Sequence, residues 1–396
     1  MISAEKVRPG IAERARPESL RGENQGAKAH VCFVAPHLWP VLSRDPGLAM
    51  VGGAEVQQAL LVRLLTRAGH RVSVISLDFG QPHRAQVDGA VVHKTFRPAE
   101  GIPVVRFLHP RLTSIWRALR EVDADVYYQR SASMLTGVVA EFCRRHGKRS
   151  IYAGASDTDF VPGQHLIRLA RDRWLYQHGL RSVDRIVVQN PAQLAACRQH
   201  YGREARLIPS SYERPSAQRL HTGGERVLWV GTVQPAKRPE LVLEIARRLP
   251  QRRFVMIGGP GYGQLLTRNG YFEHIRDQAA ALPNVEFKGF LAFEEADAWF
   301  DQARVFVNTS LHEGMPNTFL QAWSRGVPTL ATVDVGAPVY SIFQEPAAAA
   351  SEIERLFTDA AYWETRSSAC RAYFERKHSP QSVLAQYHEL LAELAT

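Results

Sequence analysis

The sequence predicts an α/β protein built from two Rossmann-like, doubly wound parallel-sheet domains that face one another across a cleft. Three observations predict it. The 396 residues exceed what one ordinary core accommodates and divide into two units of comparable length. Buried-strand runs alternate with helical stretches, and parallel neighbours need crossover connections, so helices cover both faces of each sheet. The alternation halts at a Ser-, Gly- and Pro-rich stretch, Pro209 to Gly224, and then begins afresh.

Residues 1–28 mix Arg, Glu, Gly and Pro without periodicity and read as a flexible tail. The first domain is placed at 29–212. His30 to Ala35 reads as a buried strand. Val56 to Ala68 puts Leu60, Leu61, Leu64 and Leu65 on one helical stripe, stopped by Gly69. Strands follow at Arg71–Leu77, Val91–Phe96, Asp125–Arg130, Ser150–Ala155, Arg185–Gln189 and Ala205–Pro209. Asn190 before Pro191 is an N-cap followed by a proline at the first helical position.

The second domain is placed at 213–377, with the Pro209–Gly224 stretch as hinge. Its strands are read at Arg226–Gly231, Arg253–Gly258, Val285–Gly289, Val305–Ser310 and Pro328–Val333. The segment 378–396 holds a last helix, Ser382–Leu394, expected to pack back on the first domain. Ligands of open parallel sheets bind beyond the carboxyl ends of the strands, so two such domains enclose a site from both sides.

Composition narrows the classes. With 45% hydrophobic and 22% charged residues the chain sits at the globular average, which sets aside disordered, collagen-like and coiled-coil classes. Cys32, Cys143, Cys197 and Cys370 show no paired spacing, so neither a zinc site nor a disulfide framework is expected. Lys6, Arg8, Arg14 and Arg16 precede no apolar run, and nothing reaches membrane-spanning length, so a cytoplasmic protein is expected.

The net charge of +10 is unevenly spread. Residues 1–210 hold 30 Lys and Arg against 18 Asp and Glu, and the remainder holds 19 against 21. A basic first half favours a phosphate-bearing acceptor or peripheral contact with an anionic membrane. Arginine-rich solvated faces are the plainer explanation. No basic run is interleaved with aromatics, so nucleic acid is not expected as a partner.

Three segments carry chemistry. Val51-Gly52-Gly53-Ala54-Glu55 lies between the first strand and first helix. Adjacent glycines let backbone approach a ligand, and the following helix offers free N–H groups and a positive dipole end to an anion. Paired glycines also serve tight turns without a ligand. The second segment, Trp229 to Glu240, ends a strand at Gly231-Thr232 and places Lys237 and Arg238 before a helix. Lysine there can reach a diphosphate as a point charge. Cations at a helix N-terminus otherwise oppose its dipole, at a cost of about 0.3–1 kcal/mol. The third runs from Asn308 to Pro328: a strand end, a glycine loop with Glu313 and Gly314, and a helix from Pro316 to Gly326. Asn317 and Thr318 occupy its first turn, where amides hold phosphate oxygens, and Gln321 lies one turn on. Phe319, Leu320 and Trp323 read as core.

Together these segments resemble the retaining family 4 glycosyltransferases of GT-B fold, over roughly residues 30–395. The resemblance implies that Glu313 contacts a hydroxyl of the donor sugar, that the amides of Asn317 and Thr318 hold the diphosphate, and that position 321 meets the ribose. It matches Lys237 to the diphosphate lysine and Gly52 and Gly53 to the glycine loop near the reaction centre. It further implies a nucleotide-sugar donor as substrate, a saccharide or lipid-linked acceptor, transfer with retention, no cofactor and no metal.

The sequence departs from that pattern in four places. Gln321 stands where the motif has a second glutamate, and lacks the charge that roughly doubles such hydrogen bonds. Thr232 stands where an arginine usually follows Gly231, with Arg238 as the nearby replacement. A first-domain histidine is missing, and Tyr152 to Phe160 offers Asp157 and Asp159 instead; acceptor positioning is assigned to Asp157. The loop Asp334 to Tyr340 reads as shorter than usual by about ten residues, which would open the donor pocket. Two rival readings follow: a catalytically degraded sugar-nucleotide-binding partner of another transferase, and a sugar-nucleotide epimerase.

Overall fold

The computed structural model describes residues 28–45, 52–98, 100–101, 107–165, 167–214, 223–261 and 270–395. The tail before residue 28, Val51 of the glycine loop and the middle of the Pro209–Gly224 stretch lie outside these described residues.

The first sheet comprises β1 (His30–Val34), β2 (Arg71–Ser76), β3 (Ala85–Val87), β4 (Ala90–Lys94), β5 (Val126–Arg130), β6 (Arg149–Ala153), β7 (Arg185–Val188) and β8 (Arg206–Leu207). Their order is β3-β4-β2-β1-β5-β6-β7-β8, parallel throughout except for the β3–β4 pair. The second sheet comprises β9 (Arg226–Val230), β10 (Arg253–Ile257), β11 (Val285–Gly289), β12 (Ala303–Asn308), β13 (Thr329–Ala331) and β14 (Ser341–Ile342). It is parallel throughout, in the order β11-β10-β9-β12-β13-β14.

Strand alternation feeds two cores per sheet. In β1, Val31 and Phe33 point into the core shared with helix Gly53–Arg67, while Cys32 and Val34 point into the core shared with helix Thr113–Val122. In β9, Val227 and Trp229 serve one core and Leu228 the other. Both faces are apolar because both are covered, which is why these strands read as continuous hydrophobic runs rather than as alternating ones.

Three local features differ from the sequence reading. Helix Gly53–Arg67 begins three residues before the predicted Val56, since its first turn faces the cleft and carries no apolar stripe. Strand β3 was not predicted. It forms a hairpin with β4 through Asp88 and Gly89, both with positive φ (51° and 81°), the two-residue turn that an Asp-Gly pair favours. Strand β14 is only two residues long and too short to leave a pattern.

The last helix spans Pro380–Ala395 and buries Val383, Tyr387, Leu390, Leu391 and Leu394 in the first domain's core, against β1, β5 and helix Gly53–Arg67. The chain therefore crosses between domains twice. The crossings touch: a ring nitrogen of His378, Nδ1, lies 2.7 Å from the Ser210 carbonyl, and the Ser211 hydroxyl donates to the His378 carbonyl at 2.8 Å.

Candidate functional site

The carboxyl ends of both sheets meet at a cleft of about 470 Å³, within the range of small-molecule sites. Its second-domain wall starts at Gly231 and Thr232, just past β9, and continues through Lys237, Glu313, Gly314 and the first turn of helix Asn317–Arg325. Gln321 lies on the same wall. The facing wall carries Gly52, Gly53, Gln57, Arg130 and Ala155.

Helix Asn317–Arg325 forms where it does because Pro316, with extended backbone, ends the preceding loop as N-cap, and Gly326 terminates the helix at φ 72°. No side chain caps its N-terminus, so the first amides are free to face the cleft. Phe319, Leu320 and Trp323 anchor its buried face, as the sequence suggested.

Lys237 closes a short 3-10 turn, Pro235–Lys237, that is sewn to the loop after β12. The Thr309 hydroxyl donates to the Lys237 carbonyl at 2.6 Å, and the Leu311 amide donates to the Ala236 carbonyl at 2.9 Å. Arg238 completes the seam. Its guanidinium donates to the Thr309 carbonyl at 2.9 Å, and it does not line the cleft. The replacement cation expected from sequence is thus spent on backbone carbonyls. The Lys237 ammonium instead reaches Glu313, with which it forms an ion pair, and the Ser310 hydroxyl donates to the same carboxylate oxygen at 2.6 Å.

Gln321 has a specific reason to be an amide. Its Nε2 donates at 2.7 Å to Asp297, a buried carboxylate that also accepts from Tyr212 at 2.6 Å and pairs with the fully buried Arg325 at 2.7 Å. Burial raises the Tyr212 hydroxyl well above its ordinary pKa, which keeps it a donor. A glutamate at 321 would set a second carboxylate against Asp297. The amide oxygen of Gln321 remains as an acceptor on the cleft side.

On the first domain, Gly53 lets the facing wall come close: a Cβ there would lie 3.3 Å from Nδ2 of Asn317, which donates to the Gly53 carbonyl at the same distance. Buried Gln57 ties three segments together. Its Nε2 donates to the Ser211 carbonyl at 2.7 Å and to Oδ1 of Asn317 at 2.8 Å, and its Oε1 accepts from the Ser211 amide at 2.9 Å.

Asp157 opens the turn Asp157–Phe160 and is held by Nδ2 of Asn190 at 2.9 Å and Nε2 of Gln193 at 3.0 Å. It lies beside the cleft rather than lining it; a Cβ on Gly314 would be 3.8 Å from its Oδ1. Asp159 is buried, accepts from the Ala155 amide at 2.7 Å, and has its pKa raised chiefly by desolvation. Its place is structural. None of residues 334–340 lines the cleft: Asp334 accepts from the Gly336 amide and the Tyr340 hydroxyl, and Val335, Val339 and Tyr340 pack on the core.

Two features escaped the sequence reading. Arg130 ends β5 and lines the cleft, and its Nε is buried without a hydrogen-bond partner. The rule that sites gather at strand carboxyl ends, applied to the strand already read at Asp125–Arg130, would have found it. His83, His93 and Glu121 bring ligand atoms within 4.8 Å of one another outside the cleft, but Arg84 donates to the same Glu121 oxygen at 2.8 Å. The four cysteines are buried and unpaired. No helix among the described residues is long and apolar enough to cross a membrane.

Comparison with known proteins agrees with this architecture. Residues 51–211 match the family described as Glycosyltransferase Family 4, and residues 224–359 match Glycosyl transferases group 1. The chain is 30% identical to D-inositol 3-phosphate glycosyltransferase of Mycobacterium leprae over 120 residues, 30% of this chain and 28% of that protein. It therefore aligns with well under half the length of those relatives. It is 23% identical over 356 residues to mannosylfructose-phosphate synthase of Agrobacterium fabrum, covering 77% of this chain and 76% of that one. Among solved structures, sucrose-phosphate synthase of Thermosynechococcus elongatus superposes with a TM-score of 0.73 at 18% identity, over 93% of this chain and 99% of that one. Anabaena HepE in complex with UDP-glucose superposes with a TM-score of 0.66 at 15% identity, over 92% and 100%.

Proposed function

Since the chain belongs to the GT-B glycosyltransferases built from a Family 4 domain and a group 1 domain, we propose that it transfers a sugar from a nucleotide-sugar donor to a hydroxyl of a saccharide or lipid-linked acceptor, with retention of configuration. The carrying observation is convergence: Lys237, Glu313 and the uncapped start of helix Asn317–Arg325 face Gly52, Gly53 and Arg130 across one cleft. A nucleoside diphosphate leaving group accumulates negative charge as the anomeric bond breaks. Lys237 and the helix amides are preorganised to receive it. The donor's diphosphate would compete with Glu313 for Lys237, freeing the Glu313 carboxylate for a sugar hydroxyl. Gln321 offers its oxygen to the ribose. Asp157, held by Asn190 and Gln193, positions the acceptor. In this reading no cofactor or metal is needed, and the product belongs to surface polysaccharide or glycoconjugate synthesis.

Lys237→Ala and Glu313→Ala are each expected to lower acceptor-dependent release of nucleoside diphosphate by at least about 100-fold while leaving the unfolding temperature within a few degrees. Full activity in both variants would refute the assignment. Thermal stabilisation of the wild type by a panel of nucleotide sugars identifies the donor. Stabilisation without product in any acceptor screen would favour a degraded binding partner, and donor conversion without acceptor would favour an epimerase.

A further inference from the structure

A second cavity, larger than the cleft, lies on the first domain. It is a groove of about 1250 Å³ between helices Thr113–Val122, Leu135–His146 and Ala170–Ser182, on the sheet face opposite the returning last helix. Two of these helices pack backbone to backbone: a Cβ on Gly137 would lie 2.2 Å from the Leu175 carbonyl oxygen, and one on Gly179 would lie 2.5 Å from the Gly137 nitrogen. The floor is therefore rigid and apolar, formed by Val138 and Leu175, with Phe107, Leu112, Trp116 and Trp174 as walls.

Its mouth carries more exposed apolar surface than solvation alone favours. Trp174 is 63% exposed, and Leu108 and Leu169, neighbours in sequence of lining residues, are 58% and 57% exposed. The charges around it are not balanced. Glu121 is taken up by His83 and Arg84, and Glu141 by Arg144 and Arg145. Arg117 and Arg120 also line the groove, are exposed, and among the described residues make no ion pair or hydrogen bond. Apolar floor, exposed tryptophan and unpaired arginines at the rim match one chemistry, a hydrocarbon chain ending in a phosphate. A second copy of this chain is disfavoured by the same arginines, which a self-complementary contact would set against one another.

We propose that this groove docks the protein on an anionic bilayer, taking up acyl chains between Trp116 and Trp174 while Arg117 and Arg120 meet lipid phosphates. Thr113, Gly137 and Arg171 stand in the first turns of helices that follow strands of the parallel sheet. One end of the groove thus lies toward the cleft side, and the groove runs from there to the last turn of Thr113–Val122, where Arg120 sits, so docking along it sets this face of the first domain against the headgroups. This places the proposed transfer at a membrane face, and so rests on that reading, but its test needs neither donor nor acceptor.

The full chain is sedimented with vesicles of phosphatidylcholine alone or with about one-third phosphatidylglycerol. Binding is expected to the anionic vesicles only, to weaken as salt screens the arginines, and to blue-shift tryptophan emission. Arg117→Glu combined with Arg120→Glu is expected to lower the partition coefficient at least about 30-fold, two lost contacts at about 1 kcal/mol each. Trp174→Ser is expected to weaken binding and remove part of the blue shift. Arg276→Glu on the second domain should bind as wild type, and Lys237→Ala should bind vesicles normally while losing transfer, which separates failure of docking from failure of the catalytic reading. Equal binding by the arginine pair variant, equal binding to neutral vesicles, or a concentration-dependent dimer that Trp174→Ser disperses would each overturn the proposal. Unchanged unfolding temperatures confirm that the exposed substitutions leave the fold intact.

Discussion

Gln321 meets Asp297 beneath the cleft, and that contact decides which side chain position 321 tolerates. Arg325 already pairs with both Asp297 and Asp301, so a third carboxylate at position 321, set against Asp297, would not stay ionised beside them at neutral pH. Gln321→Glu is therefore expected to destabilise the protein by about 1–3 kcal/mol at pH 7, measured by urea unfolding. The new carboxyl would have its folded-state pKa raised, so the penalty shrinks as pH falls and the group protonates. A penalty independent of pH would argue against carboxylate repulsion. The departure from the family pattern was legible as a residue change, but its cause was not, because Asp297 is 24 positions away in sequence and only the fold brings it near. Lys237 and Glu313, which both line the cleft, were each legible as candidates from loop context. Their mutual ion pair was not, since 76 residues separate them. Arg238 shows the reverse case: a cation in the right stretch of sequence whose side chain turns to carbonyls instead.

Among the elements, helix Gly53–Arg67 was legible from its leucine stripe, while its first turn was not, because residues facing a cleft lack the periodicity that burial imposes. Gln57, just past that first turn, carries no sequence signal, yet it bonds the segment joining the domains and the facing helix at once. Gln57→Ala is expected to cost about 1–3 kcal/mol, because it leaves the buried Ser211 amide without its partner. It should also raise the Michaelis constant for donor more than it lowers turnover, since Asn317 loses an anchor. Chemical denaturation and initial-rate kinetics check the two halves of this expectation, and an unchanged Michaelis constant would limit Gln57 to a structural part. The hairpin of β3 and β4 marks a different limit, a legible turn pair, Asp88-Gly89, joined to a strand too short to register.

For the molecule as a whole, the doubling of the alternation and the return of the last helix were readable because each rests on long-period apolar patterning, which packing cannot disguise. The site was readable only as segments. Their convergence depends on the crossings between domains, part of which lies outside the described residues. Stability of the assembled protein should follow two buried histidines. Burial lowers the pKa of both His30 and His378 to about 4. Unfolded, each titrates near 6.5, so between pH 6.5 and 4 the unfolded chain binds more protons and stability falls as pH falls. The unfolding temperature is expected to drop from pH 7 to pH 5, and His378→Asn, although less stable at pH 7, should show a shallower drop in a thermal melt series. Equal slopes for the variant and the wild type would remove His378 from the account.

His378 bears on more than titration. Because its ring meets Ser210 while its carbonyl meets Ser211, the outgoing and returning strands of chain are bound side by side like the spine of a book. Under the proposed transfer, this pairing would favour a swing of the two covers over a slide, and so would help return the groups on the two walls to register.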